Sequence, residues 1–573
     1  MNSLFTLLFI AVTTLGQGIT CNAGITCTLV DTFKLTVSGS GAWTSIEGIE
    51  KTRIQGIIIG KGITSIEHTF FSHSYALTSV TCPTECTLKK IGDAAFQGCN
   101  QLKSISIDTI ETIGNKAFDK GTSASMSLSS FSFKNIKTIG DYAFQNTQMN
   151  ALTFPATLES IGKNAFAGCA VIFIDVAKEN TIYSSVNNAI LYELKNNVKS
   201  LVIYSHGAQE FNVPNGVTVI KEYAIYNLRY LKKINLNEVV TIEKNAFFGC
   251  SGLEEVTFGK STTDLRKGIF VGCNAIKKFI VHQDNSLFES VDDILYTKNK
   301  ENKALIKYPA MKEIPNNGIY SIPAGVKVIY DYAFEGITGL KELTIGGDVY
   351  SIHSYVFKGC LNLKKVTISA PIKSVGTSVF EKLEQLSTVI LGDNVKMIGK
   401  KMFANCPLTS FTMSKGVMTI ESHAFFGSQL TSIEIPNTCV FIMSHAFASC
   451  NSLTSVKIGS AVKEISKEAF FGCWKLTSVD LSSATSLQRI DKAAFSSSSN
   501  IESIVIPASV KAISKDAFRI SKLSSVKFLG TAKPNICSLK AFQETKVEKV
   551  KVPANYQHQR FCGLEIEKET KQS

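Results

Sequence analysis

From Asn451 to Cys473 the chain places apolar side chains at Leu453, Val456, Ile458, Val462, Ile465, Ala469, Phe470 and Cys473, with mostly polar residues between them. The stretch from Gln429 repeats the pattern with Leu430, Ile433, Ile435, Cys439, Ile442, Ala446, Phe447 and Cys450. Phe334, Phe357, Phe380 and Phe403 lie 23 residues apart, and Phe425, Phe447 and Phe470 follow at 22, 22 and 23. A fixed period in this range means one supersecondary unit stacked many times.

Each repeat spells out its own coil. Val456 and Ile458 are a period-2 pair and predict a short strand with alternate side chains pointing inward. Pro or Gly then turns the chain, as at Pro436, Gly459 and Pro507. The pair Val462 and Ile465 forms the next side, and Ala-Phe-x-Gly-Cys closes the coil with Phe inside and Gly at a tight turn. Such a coil cannot bury its apolar edge alone, so stability comes from neighbours. Eighteen anchors run from Phe70 to Phe542, seventeen of them Phe and one Ile225. Two longer gaps contain TIYSSVNNAILYELKNNVKSLVIYSHG and SLFESVDDILYTKNKENKALIKYPA, each an apolar run, a polar turn and a second apolar run, which predicts a β-hairpin. The expected fold is a repeat solenoid, mainly β with short turns. It is a curved stack of about twenty 22–26-residue coils, two of them longer and hairpin-containing. The expected boundaries are a leader at 1–16, an N-terminal cap at 17–53, the solenoid at 54–552 with hairpin insertions near 171–215 and 274–318, and a polar C-terminal tail or cap at 553–573.

The leader is read from an apolar run, Leu4 to Leu15, that ends in small residues. This is the pattern of a secretory signal peptide cleaved near Gly16. No later segment reaches the ~18 apolar residues of a membrane helix, and the closing GLEIEKETKQS carries no lipid-anchor signal. Secretion follows as the expectation, either free or held at a cell surface by another molecule.

Export turns attention to the fifteen cysteines. Cys99, Cys169, Cys250, Cys273, Cys360, Cys406, Cys450 and Cys473 each sit three residues after an anchor Phe, where a free thiol serves as a small buried hydrophobe. Cys439 replaces an inward Val. With Phe403, Phe425, Phe447 and Phe470, Cys450 and Cys473 are assigned to the structural core. Cys21 with Cys27, and Cys537 with Cys562, lie where the stack ends and are the candidate disulfides; Cys82 with Cys86 is a weaker candidate.

The formal charge of +13 adds a partial Lys column, three residues before the anchor, at Lys163, Lys244, Lys267, Lys400, Lys467, Lys492 and Lys515. It reads as a solvated edge or as an attraction to anionic glycans. No recognition helix or aromatic–basic platform points to nucleic acid. No phosphate-binding glycine loop, nucleophile elbow or metalloprotease helix appears. His423 and His445 share one column, but Tyr and Asn occupy it elsewhere, so no metal or cofactor is expected and the chain is not read as an enzyme.

The outward strand positions are richer. Ser410 and Thr412, Ser432 and Glu434, Ser455 and Lys457, and Ser478 and Asp480 make a hydroxyl-rich face and are the candidate ligand-binding residues. A solenoid uses such a face to bind an extended partner. The segments IGDAAFQGC, IGKNAFAGC and ISKEAFFGC, with KLTVSGSGAW near the N-terminus and the inserts YSSVNNAILY and FESVDDILY, resemble the BspA-like leucine-rich repeat family over nearly the whole chain. That resemblance implies an exported leucine-rich-repeat protein that adheres to host cells, extracellular matrix or other microbes through a protein or glycan ligand. A secreted structural, antigenic or decoy coat without a dedicated ligand is the alternative.

Overall fold

A computed structural model describes residues 19–570 except 32, 83–84, 122–125 and 206. The leader expected at 1–16 lies outside the described residues. Two compact units are present: Met1–Gly252 with Ser261–Phe270, and Leu253–Lys260 with Val271–Ser573. Each is a mainly β solenoid of leucine-rich-repeat coils.

A regular coil contributes three hydrogen-bonded edges. The first is the strand of the Leu-x-x-Val-x-Ile segment. In the second unit Ile319–Ser321, Glu342–Ile345, Lys365–Ile368 and Thr388–Leu391 pair in parallel, each with its neighbour. In the first unit Lys34–Gly39, Gly56–Ile59, Ser79–Thr81, Ser104–Ile105 and Ser130–Phe131 do the same. The second edge is a two-residue strand from the second apolar pair, exemplified by Thr419–Ile420, Phe441–Ile442 and Glu464–Ile465. Its inward Ile420, Ile442 and Ile465 are fully buried.

The third edge is the Ala-Phe-x-Gly-Cys turn. Around Phe470, the backbone N–H groups of Glu468, Phe470 and Gly472 donate to the carbonyls of Lys492 (3.0 Å), Ala494 (2.8 Å) and Ser496 (3.0 Å) in the next coil. Glu468 (φ 57°) and Gly472 (φ 70°) both lie in the left-handed region. The position two before the anchor is left-handed in most coils and is filled by non-glycine residues such as Tyr142, Tyr332, His423 and His445. Left-handed backbone costs a non-glycine residue about 1–2 kcal/mol. The row of inter-coil bonds and the ring it orients offset that cost.

The rings form columns. Phe425, Phe447, Phe470 and Phe495 follow one another with centroids 5.1, 5.1 and 5.3 Å apart and planes within 3°. Behind them the column cysteines do more than fill space. Cys473 Sγ donates to Phe447 O (3.2 Å) and Cys450 Sγ to Phe425 O (3.2 Å). Ser498 makes the same bond to Phe470 O at 2.9 Å. Cys and Ser at this position thus both fill the space and donate, while Ile337 and Leu383 fill it in other coils by packing alone.

Four sequence expectations change. The first anchor is Phe71, not Phe70: Phe71 stacks on Phe96 at 5.6 Å, whereas Phe70 lies against Trp43 at 4.8 Å beneath Lys51 Nζ. Counting five residues from the preceding inward Ile places the ring correctly, since Ile66 to Phe71 equals Ile91 to Phe96. The long gaps conceal two further anchors, Tyr204 and Tyr308, whose N–H groups donate to Ala224 O (2.7 Å) and Ala333 O (2.8 Å) as an anchor Phe does. Each insertion holds three antiparallel strands rather than a simple hairpin: Tyr183–Val186, Ile190–Lys195 and Val198–Tyr204, then Phe288–Val291, Ile294–Thr297 and Ala304–Lys307. Left-handed pairs Asn187–Asn188, Asn196–Asn197 and Asp292–Asp293 turn them. Finally, no strand forms around Phe411, although Thr431 N–H still reaches Thr409 O at 3.0 Å.

Each unit carries a cap. In the first unit Trp43 is fully buried against Phe70 and Phe71, and Cys21–Cys27 joins Thr20–Cys21 to Ile25–Asp31. In the second unit Leu564–Lys568 pairs with Lys549–Val552, and Cys537–Cys562 ties the closing hairpin down. Truncating a ring inside a column should be costly: Phe470→Ala is expected to lower unfolding free energy by about 3–5 kcal/mol. Hydrogen exchange should show the loss centred on the coils of Phe447 and Phe495 and leave the first unit protected.

Candidate functional site

The outward face is built by register. Parallel pairing sets Ser432, Ser455 and Ser478 in one row and Glu434, Lys457 and Asp480 in the next. Alternation along the strand makes this a surface: Ile433, Val456 and Val479 between them are buried. Ser432, Glu434, Lys457 and Ser478 are exposed, while Ser455 and Asp480 are half-buried. Ser410 and Thr412 are exposed too, but they lie in the coil without a strand, beyond the paired rows.

Charges on this face are paired between coils. Lys457 Nζ donates to Glu434 Oε1 at 2.6 Å, and this bond raises the lysine above its ordinary range. Asp480 is held below its ordinary range, first by the hydroxyl and backbone N–H of Ser482. Other coils repeat the arrangement with Lys278–Glu255 at 2.9 Å and Lys365–Glu342 at 3.3 Å. Exposed pairs of this kind contribute little to stability, about 0–1 kcal/mol each. Their consequence is that these charges are answered by one another across neighbouring coils, beside exposed hydroxyls such as Ser432 and Ser478. The Thr one position earlier is already engaged: Thr454 Oγ1 donates to Thr431 O, and Thr477 Oγ1 to Thr454 O.

The other candidate columns are also met by neighbours. Lys163 pairs with Glu222 (3.0 Å), Lys467 with Glu468 (3.4 Å) and Lys515 with Asp516 (3.8 Å), so the basic stripe is partly neutralised. The His423 and His445 rings stack at 4.7 Å, and His445 Nε2 pairs with Glu468 at 2.5 Å. Burial, and then His445 beside it, holds His423 below the usual imidazole range, which disfavours a cation there. Tyr332 and Tyr355 stack in the same column at 5.3 Å, so the two His rings repeat a stacked pair that the fold makes elsewhere at this position. Among the described residues no group of three or more His, Cys, Asp or Glu could hold a metal ion. No described helix is long and apolar enough to cross a membrane.

The cysteines divide into two sets. Cys21–Cys27, Cys82–Cys86 and Cys537–Cys562 are disulfides. Cys99, Cys169, Cys250, Cys273, Cys360, Cys406, Cys439, Cys450 and Cys473 are free thiols, all buried except the half-buried Cys169. Burial pushes Cys99, Cys250, Cys360, Cys406, Cys439 and Cys450 up to about 12, and Cys473 well above its ordinary value.

With this geometry in place, comparison with known proteins is informative. Residues 49–173, 196–296, 306–431 and 418–548 match the model of the BspA type leucine rich repeat region. Among solved structures, a leucine-rich repeat protein from Eubacterium ventriosum is 21% identical, with 88% of this chain and 96% of that chain covered and a TM-score of 0.32. A leucine rich cell surface protein from Faecalibacterium prausnitzii is 18% identical, covering 81% and 94%, with a TM-score of 0.31. At these values the two structures carry no argument about function. No curated protein matches the sequence.

The thiolate is the reactive form, and burial both disfavours it and shuts out reagents. A thiol-specific alkylating agent should therefore leave the folded protein essentially unlabelled and add nine groups after non-reducing denaturation. Intact-mass measurement checks both numbers; a lower count would mean that column cysteines such as Cys450 and Cys473 are bridged.

Proposed function

This chain belongs to the BspA-type leucine-rich repeat family, and from that membership we propose that it is an exported adhesion protein. It holds an extracellular protein or glycan along the strand face that includes Ser410, Thr412, Ser432, Glu434, Ser455, Lys457, Ser478 and Asp480. The observation that carries the reading is the pair of in-register rows, Ser432–Ser455–Ser478 and Glu434–Lys457–Asp480, on a flat parallel sheet. Hydroxyl groups both donate and accept, so they suit the mixed polar groups of a peptide edge or a sugar. Pairing of the face's own charges supports recognition by hydrogen bonds over recognition by field.

Replacing Ser432, Glu434, Ser455 and Lys457 together by Arg should abolish binding to host cells or matrix. The melting curve should stay in place, because these side chains lie outside the buried columns. Retained binding would remove the strand face as the site, whereas a wild-type chain that binds neither cells nor matrix would favour a coat without a dedicated ligand. If the Lys column binds anionic glycans instead, affinity should fall steeply with added salt, since exposed charges are screened beyond ~8 Å at physiological ionic strength.

A further inference from the structure

The first insertion interrupts the third edge of the stack, and the interruption opens a cavity. In the coils of Phe71, Phe96 and Phe144 the residue two before the anchor, the anchor and the residue two after it donate N–H bonds forward. Tyr142, Phe144 and Asn146 bond to Lys163, Ala165 and Ala167 at 2.9, 2.8 and 2.8 Å. The next donors in line are Asn164, Phe166 and Gly168, and among the described residues no protein acceptor meets them. The ladder resumes only at Tyr204. All three of these residues line a cavity of about 1170 Å³ with Tyr204, Tyr223 and Tyr226. Phe166 covers one of its ring faces with Phe144 at 5.3 Å. Because the ladder runs in one direction, the three N–H groups point along the stack into this space.

The second insertion shows what such a gap requires when the chain fills it. Gly272 stands where Gly168 stands, two residues after an anchor, and its N–H donates to Glu335 Oε2 at 3.2 Å. The other carboxylate oxygen accepts from Lys358 Nζ at 3.1 Å, and buried Lys307 lies 4.0 Å from Oε2. Aligning the coils on Tyr204 and Tyr308 puts Ile203 in place of Lys307, Tyr226 in place of Glu335 and Phe248 in place of Lys358. The first gap thus keeps the amide row but has exchanged the internal carboxylate and its cations for apolar and aromatic walls. Tyr226 and Phe248 stack there at 5.8 Å.

We propose that the cavity is a binding site for a small organic carboxylate with an apolar body. Its carboxylate takes the place that Glu335 occupies in the second insertion, accepting from the N–H of Gly168, the counterpart of Gly272, and from the neighbouring N–H of Phe166. Its body lies against Phe166, Tyr223 and Tyr226. The charged lining is mixed: Lys163–Glu222 (3.0 Å), Lys221–Glu193 (3.5 Å) and Lys221–Glu243 (3.9 Å) are internal pairs, Arg266 pairs with Asp264 (2.7 Å), and Arg229 and Lys244 add positive charge. Charge-assisted bonds to backbone amides are the strong class of hydrogen bond, and a mostly apolar pocket with a few converging donors is the usual form of a small-molecule site. The site is separate from the strand face and does not depend on that reading.

Aryl and acyl acids share this chemistry, so the probes are indole-3-acetate and decanoate, each beside its alcohol counterpart, tryptophol or decanol. Calorimetry on the wild-type chain should show binding of at least one acid, about tenfold or more tighter than its alcohol. Which acid binds identifies the body. Building the plug of the second insertion into the first, with Ile203→Lys and Tyr226→Glu, should abolish that binding. A second measurement needs no variant: the bound acid should slow hydrogen exchange of a peptide covering Asn164–Gly168. No binding of either acid, equal binding of acid and alcohol, unchanged exchange over 164–168, or binding that survives in a folded Ile203→Lys/Tyr226→Glu chain would each overturn the proposal.

Discussion

The structure depends on a forward row of backbone hydrogen bonds beside each anchor ring. In a regular coil three N–H groups point the same way along the stack, where the backbone turns left-handed on both sides of the anchor. That geometry explains several features together. Gly472 is permitted its φ of 70° at no cost in contacts, whereas Glu468 at 57° is strained and must be held. The holding comes from the bonds on either side and from a ring that can only stack when the coils are in register. Register in turn places the inward Val and Ile of the two strand edges over their counterparts. Hydrogen bonding and hydrophobic burial are therefore coupled at every coil, as expected of a one-dimensional stack in which each unit leans on its neighbours.

The same row explains the cysteines. An anchor carbonyl faces a space just large enough for a thiol or hydroxyl, and Cys473 Sγ and Ser498 Oγ fill it with nearly the same geometry, at 3.2 and 2.9 Å. Ile337 and Leu383 stand at the same position in other coils, buried but without a donor. A free thiol in a chain with three disulfides is thus a packing and hydrogen-bonding choice, and its ionisation is suppressed by the surroundings that select it.

The repeat itself was legible because identical coils solve the same packing problem, so inward Leu, Val, Ile and Phe recur at fixed spacing. What escaped was whatever depends on distinguishing similar residues at one place. Phe70 and Phe71 are equivalent to a pattern, and only the spacing from Ile66 separates the stacked ring from the one against Trp43. Tyr204 and Tyr308 serve as anchors with a hydroxyl attached, so a search for Ala-Phe passes them by. The left-handed position two before the anchor has no residue preference strong enough to read: Tyr, His, Asn, Lys, Glu and Ala all occupy it. On the strand face the residue types were legible, but the cross-coil pairing of Lys457 with Glu434 needed the register.

An interruption in a one-dimensional stack has a chemical consequence that a globular core would hide. Where a coil is altered, the preceding coil still presents its forward donors, and something must meet them or leave them to solvent. The second insertion meets Gly272 with Glu335, and the resulting buried charge must itself be answered by Lys307 and Lys358, because an isolated carboxylate could not be buried there. Those residues form one interdependent set: removing Glu335 alone would strand Lys307, whose burial already lowers its affinity for a proton. The first insertion lacks all three members of the set at once, with Ile203, Tyr226 and Phe248 in their places. Losing the set as a whole leaves no orphaned charge, only an amide row and aromatic walls. A coil built that way keeps the stack intact while leaving a polar edge available to a molecule from outside.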